Sequence, residues 1–317
     1  MGLTEKTKKW LKKNADISLK GKTVVVTGAN SGVGFKIAET LAYLGASVIL
    51  ACRNRQKAND ARETLTAEYP ETDISIMELD MADFSSIDAF VDAVRQQGVD
   101  IDAFVNNAGV LHQPGKKTKD GFGLVIGTNY LGVFYLTEQL LPYLSSLPHD
   151  VTYINTISLI HKFATLDYDD FYYEKRYRTM PVYGRSKLCL AKYTYYMAQR
   201  LAGTNVHVYM NHPGIAITPM GLNMVGTRVA KLGNFAKRLF NSPEKSALSV
   251  AYILSHPLPA GTIVGPERGF GGWGYPKVNR ASRKVTTGAE ELIAFTQKEI
   301  NSATPARPDK GHCPSSR

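Results

Sequence analysis

A run of β-branched residues, followed by a glycine-rich turn and a helical pattern, constrains the fold of this chain more than any other feature. Thr23–Thr27 has the composition of a buried parallel strand, and residues 35–44 have helical spacing. Between them, Gly28 permits a tight turn, Gly32 lets the backbone approach a pyrophosphate, and Gly34 allows close packing of helix on strand. The pattern predicts a dinucleotide-binding turn at a helix N-terminus; a glycine turn without a ligand is the alternative.

Strands and helices alternate over the first two-thirds of the chain. The further predicted strands are residues 48–51, 74–79, 101–106, 151–157 and 206–211. The further predicted helices are residues 56–68, 84–97, 123–144 and 183–201. This order predicts an α/β fold, a single-domain Rossmann-type doubly wound parallel sheet with helices on both faces. Ligands of such sheets lie at the carboxyl ends of the strands.

A tyrosine and a lysine four residues apart form the clearest candidate for chemistry. On a helix, Tyr183 and Lys187 lie one turn apart on the same face. An ammonium group near a phenol favours the phenolate and lowers its pKa, and such a phenol can exchange a proton with an alcohol or carbonyl oxygen. The alternative is a half-buried helical tyrosine beside a solvated lysine.

Several motifs together resemble the short-chain dehydrogenase/reductase family over residues 20–265. They are the cofactor loop at residues 27–34, Asn-Asn-Ala-Gly at residues 106–109, the pair Tyr183 and Lys187, and the turn Pro213-Gly214. Residues 51–53, 129–132 and 186–188 resemble the branch that contains retinol dehydrogenases and carbonyl reductases. The resemblance implies an NAD(P)-dependent oxidoreductase that acts on alcohol and carbonyl groups.

The resemblance also implies a role for each site residue. The catalytic residues would be Asn129, Ser158, Tyr183 and Lys187. Tyr183 would protonate the developing alkoxide, Ser158 would stabilise it, and Lys187 would tune Tyr183 and hold the nicotinamide ribose. Asn129 would kink its helix and hold a water on the proton path; satisfying a local carbonyl is its alternative role. The cofactor-binding residues would be Gly28, Asn30, Ser31, Gly32, Val33, Gly34, Arg53, Asp80, Met81, Asn106, Ala108, Gly109, Tyr183, Lys187, Pro213, Gly214 and Thr218.

The end of the second predicted strand favours NADP(H) over NAD(H). A carboxylate about 20 positions after the glycine turn would bind a free ribose 2′-hydroxyl, whereas this strand end carries Arg53 and Arg55. Guanidinium groups suit phosphate recognition, and Arg53 is the stronger candidate. A solvated arginine pair is the alternative. By resemblance Asp80 contacts the adenine and Met81 packs beside it, or Asp80 caps the following helix.

A long aromatic connection between Ser158 and Tyr183 favours a bulky lipophilic substrate. We call residues 159–182 the aromatic loop; it contains Phe163, Tyr168, Phe171, Tyr172, Tyr173 and Tyr177. These side chains would line an apolar pocket, or would pack onto the protein's own surface. A basic amphipathic pattern within residues 224–240 falls where the family usually keeps its substrate lid.

The domain boundaries follow from composition. Residues 1–19 form a basic N-terminal extension, residues 20–300 the single oxidoreductase domain with its lid at 224–260, and residues 301–317 a disordered tail. The formal net charge is +10, concentrated in residues 1–13 and 224–240, and this would permit peripheral contact with an anionic membrane. No nucleic-acid motif accompanies the charge, and the three cysteines are too scattered for a disulfide framework or a metal site. A reducing cytoplasm is therefore expected.

The sequence favours an enzyme over a binding protein. The expected reaction is hydride transfer between NADP(H) and a bulky lipophilic alcohol or carbonyl, such as a retinoid, a steroid, an aldehyde or a ketone. The alternatives are a non-catalytic, nucleotide-sensing Rossmann protein and, disfavoured by the glycine spacing, a nucleotide-sugar epimerase. Reaction direction and oligomeric state are not specified by the sequence.

Overall fold

A computed structural model describes residues 2–215, 241–268 and 272–303 of the chain. Its centre is an eight-stranded sheet with the order β3-β2-β1-β4-β5-β6-β7-β8. The strands are β1 Thr23–Thr27, β2 Ser47–Cys52, β3 Ile74–Glu78, β4 Ala103–Asn106, β5 Val151–Thr156, β6 Val206–Asn211, β7 Ile263–Arg268 and β8 Trp273–Asn279. This arrangement confirms the predicted Rossmann-type fold.

Helices cover both faces of the sheet. Within the described ranges they are α1 Glu5–Asn14, α2 Gly32–Tyr43, α3 Arg55–Glu68, α4 Phe84–Gln96, α5 Leu124–Ile126, α6 Gly132–Ser146, α7 Thr179–Arg200, α8 Pro243–Ser255, α9 Arg283–Thr286 and α10 Ala289–Ala303. Each strand contributes side chains to both faces of the sheet, because neighbouring side chains point in opposite directions. In β1, Val24 and Val26 pack with α2, α3 and α8, whereas Val25 packs with α4, α6 and α7.

The sheet departs from the predicted all-parallel form at one edge. Strands β1 to β7 pair in parallel, but β8 runs antiparallel to β7. Pro276 lies in β8, and an edge strand accepts proline because one side of its backbone has no neighbouring strand. Strands β7 and β8 are not predicted by the sequence pattern, since Pro266, Pro276 and several glycines interrupt their alternation.

The predicted basic N-terminal extension contains a helix that docks on the domain. Leu3 and Leu11 are buried in a cluster with Leu248 and Ala251 of α8. Thr4 also donates hydrogen bonds from its amide and hydroxyl groups to Glu244, both at 2.8 Å. The apolar side of α1 is therefore used inside the protein, and its lysines face outward.

Parts of the predicted lid region and of the predicted tail lie within the described ranges. Helix α8 lies within the predicted lid region, but its Val250 and Ile253 belong to the core beneath the sheet. Helix α10 continues to Ala303, so the first residues of the predicted tail are helical. Residues 216–240, which contain the basic lid pattern, and residues 304–317 lie outside the described ranges. Of the helices described, none has the length and apolarity to cross a bilayer.

Candidate active site

A cavity of about 760 Å³ lies at the carboxyl edge of the sheet, where the segments following β1 to β6 meet. Most of the predicted site residues line it. They are Gly28, Asn30, Ser31, Gly32, Val33, Gly34, Arg53, Asp80, Met81, Ala108, Gly109, Ser158, Tyr183, Lys187, Pro213 and Gly214. Asn106 and Asn129 do not line it, and Thr218 lies outside the described residues.

The glycine turn after β1 is shaped as a cradle. Gly28 has a φ of 66°, a left-handed conformation that favours glycine, and a Cβ there would lie 3.0 Å from Ala108 Cα. At Gly34 a Cβ would lie 2.3 Å from the Gly28 carbonyl oxygen, so the start of α2 packs directly on the turn. The N-terminal amides of α2 therefore face the cavity at a point suited to a pyrophosphate, and the cradle fits a dinucleotide.

The candidate catalytic side chains meet at one wall of the cavity. Ser158 follows β5, while Tyr183 and Lys187 lie one turn apart on α7. Tyr183 and Lys187 are 8% and 4% exposed, and the Lys187 ammonium donates to the Thr156 carbonyl oxygen at 2.8 Å. A hydroxyl, a phenol and an ammonium group are thus held together out of bulk water, an arrangement that can stabilise and protonate an oxygen of a bound ligand.

Burial dominates the electrostatics of this wall. It raises the pKa of Tyr183, and a hydrogen bond with Ser158 opposes part of that rise. It also lowers the pKa of Lys187 to about 8. The pKa of Tyr183 thus does not fall in the way that its spacing from Lys187 predicts, because desolvation of the phenolate outweighs the hydrogen bond from Ser158. At neutral pH the phenol is protonated, which is the form needed to donate a proton.

Asn129 connects three segments beneath the cavity. It lies in a π-helical stretch, Gly127–Leu131, which interrupts the predicted single helix between α5 and α6. Val110 N donates to Asn129 Oδ1 at 2.7 Å, and Asn129 Nδ2 donates to Val110 O at 2.8 Å and to Ser186 Oγ at 3.1 Å. The asparagine thus satisfies a carbonyl group 19 residues earlier in the chain and ties α7 to the segment after β4.

Asn106 occupies a different place from the one predicted. Its Nδ2 donates to Tyr153 OH at 2.8 Å and to Asn155 Oδ1 at 2.9 Å, inside the sheet layer. The next residue, Asn107, lines the cavity and donates to the Thr27 carbonyl oxygen at 3.1 Å. Alternation along the strand end therefore assigns Asn106 to the core and Asn107 to the cofactor side.

The strand end after β2 brings two cations to the cavity. Arg53 is 68% exposed at its side chain and lies 3.7 Å from Asp80, measured from Nη1 to Oδ2. Lys57, which the sequence analysis missed, lines the same end of the cavity from the first turn of α3, whereas Arg55 does not line it. The helix-cap role considered for Asp80 belongs to Asp83, whose carboxylate accepts from Ser85 N.

The aromatic loop contributes less to the cavity than predicted. Phe163 lines the cavity and is 75% exposed, but Tyr168 and Phe171 pack on Phe295 of α10, with ring centroids 4.8 Å and 4.7 Å apart. Tyr172 donates to Glu299 of the same helix at 2.8 Å. Most of this loop therefore packs onto the protein's own surface, which is the alternative that the sequence left open.

An apolar wall surrounds Ser158 and Tyr183 instead. We define this apolar wall as Ile157, Leu159, Ile160, Phe163, Met180 and Ile215. Met180 lies three residues before Tyr183 on one helix, so helical spacing could have identified it. Ile215 comes to the cavity through the turn after β6, and no local pattern indicates that approach. In the described ranges, no three His, Cys, Asp or Glu side chains could hold a metal ion.

The low pKa of Lys187 predicts a specific pH dependence of stability without bound ligand. The folded protein loses this proton near pH 8, whereas the unfolded chain loses it near the ordinary value of 10.5. Between these values the unfolded chain binds more protons, so the contribution of Lys187 to the free energy of unfolding rises with pH. In urea denaturation, the free energy of unfolding of the wild type, relative to that of Lys187→Met, should rise by about 2–3 kcal/mol between pH 7 and pH 10. A constant difference across this range would contradict the low pKa.

Comparison with known proteins agrees with the geometry. The short chain dehydrogenase family matches residues 22–227. Retinol dehydrogenase 14 of Homo sapiens is 38% identical over 253 residues, covering 75% of each chain, and retinol dehydrogenase 13 of Mus musculus is 38% identical over 242 residues, covering 74% of this chain and 72% of its own.

Solved structures share the fold. An uncharacterised protein from Mycobacterium paratuberculosis has a TM-score of 0.71 at 31% identity, over 90% of this chain and 96% of its own. L-sorbose reductase from Gluconobacter frateurii, complexed with NADPH and L-sorbose, has a TM-score of 0.62 at 22% identity, over 78% and 95% of the two chains. With the sheet order, the glycine cradle and the paired Tyr183 and Lys187, the chain therefore belongs to the short-chain dehydrogenase family, the NAD(P)-dependent oxidoreductases of alcohol and carbonyl groups.

Proposed function

We propose that this chain interconverts a bulky lipophilic carbonyl compound and its alcohol, with NADP(H) as the preferred cofactor. The observation that carries the proposal is the position of Ser158, Tyr183 and Lys187 against the apolar wall of one cavity. When bound, the nicotinamide supplies or accepts the hydride. In the reductive direction the Tyr183 hydroxyl donates its proton to the substrate oxygen, and the Ser158 hydroxyl donates a hydrogen bond to that oxygen. The Lys187 ammonium holds the ribose and provides positive charge beside Tyr183.

The lipophilic substrate class rests on the composition of the apolar wall. Every side chain of this wall is a hydrocarbon or a thioether, so it offers dispersion contacts but no hydrogen bonds to a polyol. A sugar would leave buried hydroxyls unpaired, at a cost of about 1–3 kcal/mol each. The names of the retinol dehydrogenase relatives refer to a lipophilic alcohol, which supports the same class.

The preference for NADP(H) rests on the two cations beside the adenosine end of the cavity. Arg53 and Lys57 both line the region that follows β2. No residue from 51 to 55, at the end of that strand, carries a carboxylate. The contact of Arg53 with Asp80 is long and exposed, and such pairs contribute little. A 2′-phosphate can therefore recruit Arg53 at small cost.

We also propose that membrane contact, where it occurs, involves charge alone. Lys6, Lys9, Lys12 and Lys13 of α1 are exposed, while the apolar side of this helix is buried on α8. Anionic lipid headgroups attract such a face without insertion of apolar side chains. A cytoplasmic location remains a prediction; the thiols of Cys52 and Cys189 are free and buried, which suits a reducing compartment.

Removing the Tyr183 hydroxyl tests the chemistry. Tyr183→Phe should reduce kcat at least about a thousandfold, because it removes a general acid and leaves the cavity shape unchanged. The Kd for NADPH should stay within about twofold of the parent value. Tyr195→Phe, on the same helix outside the cavity, is the matched control and should retain full turnover. Near-normal turnover by Tyr183→Phe would exclude this residue as the acid, and absence of turnover in the parent would favour a nucleotide sensor.

Replacing Arg53 tests the cofactor preference. A charge-assisted contact is worth about 1.5–3 kcal/mol, and the exposure of Arg53 favours the lower end, or about tenfold in kcat/KM. Arg53→Ala should lose that factor for NADPH only, and Arg53→Asp should invert the preference by adding repulsion against the phosphate. Arg55→Ala is the control, and it should leave kcat/KM unchanged for both cofactors. A parent enzyme that prefers NADH would refute the assignment.

A homologous series of unbranched aldehydes tests the substrate class. Each added methylene that reaches the apolar wall should lower KM by about two- to fourfold until the wall is covered, since burial of one methylene is worth about 0.8 kcal/mol. Met180→Gln should flatten this dependence while leaving short aldehydes unaffected. A preference of the parent for short polar carbonyls would contradict the proposed class.

Vesicle co-sedimentation tests the membrane contact. The protein should pellet with vesicles that contain anionic lipid, and about 0.5 M salt should release it, because screening shortens the range of surface charges. The double variant Lys12→Gln/Lys13→Gln should weaken pelleting more than Lys116→Gln/Lys298→Gln, which has the same net charge. Equal pelleting with neutral vesicles would refute an electrostatic contact.

A further inference from the structure

A buried arginine lies on the catalytic helix between the two catalytic residues. Arg185 is 2% exposed and does not line the cavity, so it cannot touch the substrate. A buried cation is costly unless its surroundings compensate its charge. Its partners therefore reveal what the residue does.

Backbone carbonyl groups compensate the charge of Arg185. Its Nε donates to Thr165 O at 3.0 Å, and its Nη1 donates to Asp170 O at 2.6 Å and to Phe171 O at 3.0 Å. A longer contact at 3.4 Å reaches Asp167 O. All four acceptors belong to residues 164–178 of the aromatic loop, which run without helix or strand from Ala164 to the start of α7.

The same guanidinium supports a disfavoured backbone conformation. Its central carbon lies 3.9 Å from the ring centroid of Tyr173, and Tyr173 has a φ of 58°, in the left-handed region that residues with a side chain rarely adopt. The turn around it is closed by Tyr173 N donating to Asp170 O at 3.1 Å. Arg185 thus contacts the turn both through a carbonyl and through the aromatic ring.

A second cation completes the pattern. Lys284 of α9 donates to Ala164 O at 3.1 Å and to Lys162 O at 3.3 Å. Together, Lys284 and Arg185 bind carbonyl groups along residues 162–171. Apart from Lys162, which lies in a 3-10 helix, the residues bound in this way lie outside helices and strands. The conformation of this part of the loop therefore depends on side-chain contacts, from these two cations and from the packing of Tyr168, Phe171 and Tyr172 on α10, rather than on a regular backbone ladder.

This part of the loop is continuous with the apolar wall. Ile160 and Phe163 precede it directly, and both line the cavity. Gly184, the neighbour of Arg185, allows close packing, since a Cβ there would lie 3.3 Å from Ala164 Cβ and 3.5 Å from Ile160 Cγ1. Movement of residues 164–178 would therefore displace the wall while leaving the glycine cradle unchanged.

We propose that Arg185 is a positioning residue that determines selectivity for bulky substrates by holding residues 164–178 against α7. The inference rests on the proposed function, because it takes the apolar wall to contact the substrate. Arg185→Lys is the informative variant: it keeps a cation but loses the planar, multidentate fork that spans several carbonyls.

Limited proteolysis measures the hold on the loop directly. Lys175, Arg176 and Arg178 are exposed trypsin sites within the held segment. Cleavage there follows the population of the opened loop, so Arg185→Lys should raise its rate about tenfold or more in the presence of NADPH. Arg200→Lys is the matched control, because Arg200 lies on the same helix but pairs with Glu138 at 2.9 Å, and it should leave the rate unchanged. An unchanged cleavage rate in Arg185→Lys overturns the proposal.

Kinetics separate positioning from a merely structural role. In Arg185→Lys, kcat/KM for a long-chain aldehyde should fall about tenfold through KM, while kcat/KM for a short aldehyde and the Kd for NADPH stay within twofold. Equal losses for both aldehydes overturn the proposal. If Arg185→Lys does not fold, Lys284→Met replaces it. Its cleavage rate should rise about threefold, and its kcat/KM should fall more for the long-chain aldehyde than for the short one. No change in this selectivity overturns the proposal. A parent enzyme without preference for long chains contradicts the proposed function, whereas the cleavage rates report on Arg185 independently.

Discussion

The structure depends on one constraint, the parallel direction of strands β1 to β7. Parallel neighbours require crossover segments, and all carboxyl ends then lie at the same edge of the sheet. The glycine cradle, the strand end with Arg53, and Ser158 follow three different strands and meet there for this reason. Residues more than a hundred positions apart in the chain therefore line one cavity.

Buried polar contacts then fix the geometry of the catalytic wall. Asn129 exchanges two hydrogen bonds with Val110 and donates a third to Ser186, which connects α7 to the segment after β4. The Thr156 carbonyl holds the Lys187 ammonium. Such contacts are strong inside a protein, and an unpaired partner would be costly, so the positions of α7 and β5 are closely coupled. The same exclusion of water raises the pKa of Tyr183 and lowers the pKa of Lys187. Both shifts favour the neutral form of the side chain.

Local sequence patterns predicted those parts of the fold whose conformation is determined by residues close together in the chain. The β-branched run, the glycine turn and the Tyr183–Lys187 spacing each specify their own conformation, and the structure agrees. Long-range contacts decided the rest. The aromatic loop packs against Phe295 and Glu299, more than a hundred residues later, and no pattern near Tyr168 indicates that partner. Asn107 faces the cavity in place of Asn106, for which that position was predicted, because the pleat of the strand end determines which of the two side chains points there.

The central claim is that the cavity carries out hydride transfer and does not merely bind a nucleotide. Incubation with NADPH that carries deuterium at both C4 positions of the nicotinamide and with a long-chain aldehyde, followed by mass spectrometry of the alcohol, distinguishes the two. The parent enzyme should place one deuterium on the carbinol carbon, and Tyr183→Phe should give at most a trace of labelled alcohol in the same time. Saturable NADPH binding by the parent, with no deuterium in any alcohol product, would contradict it.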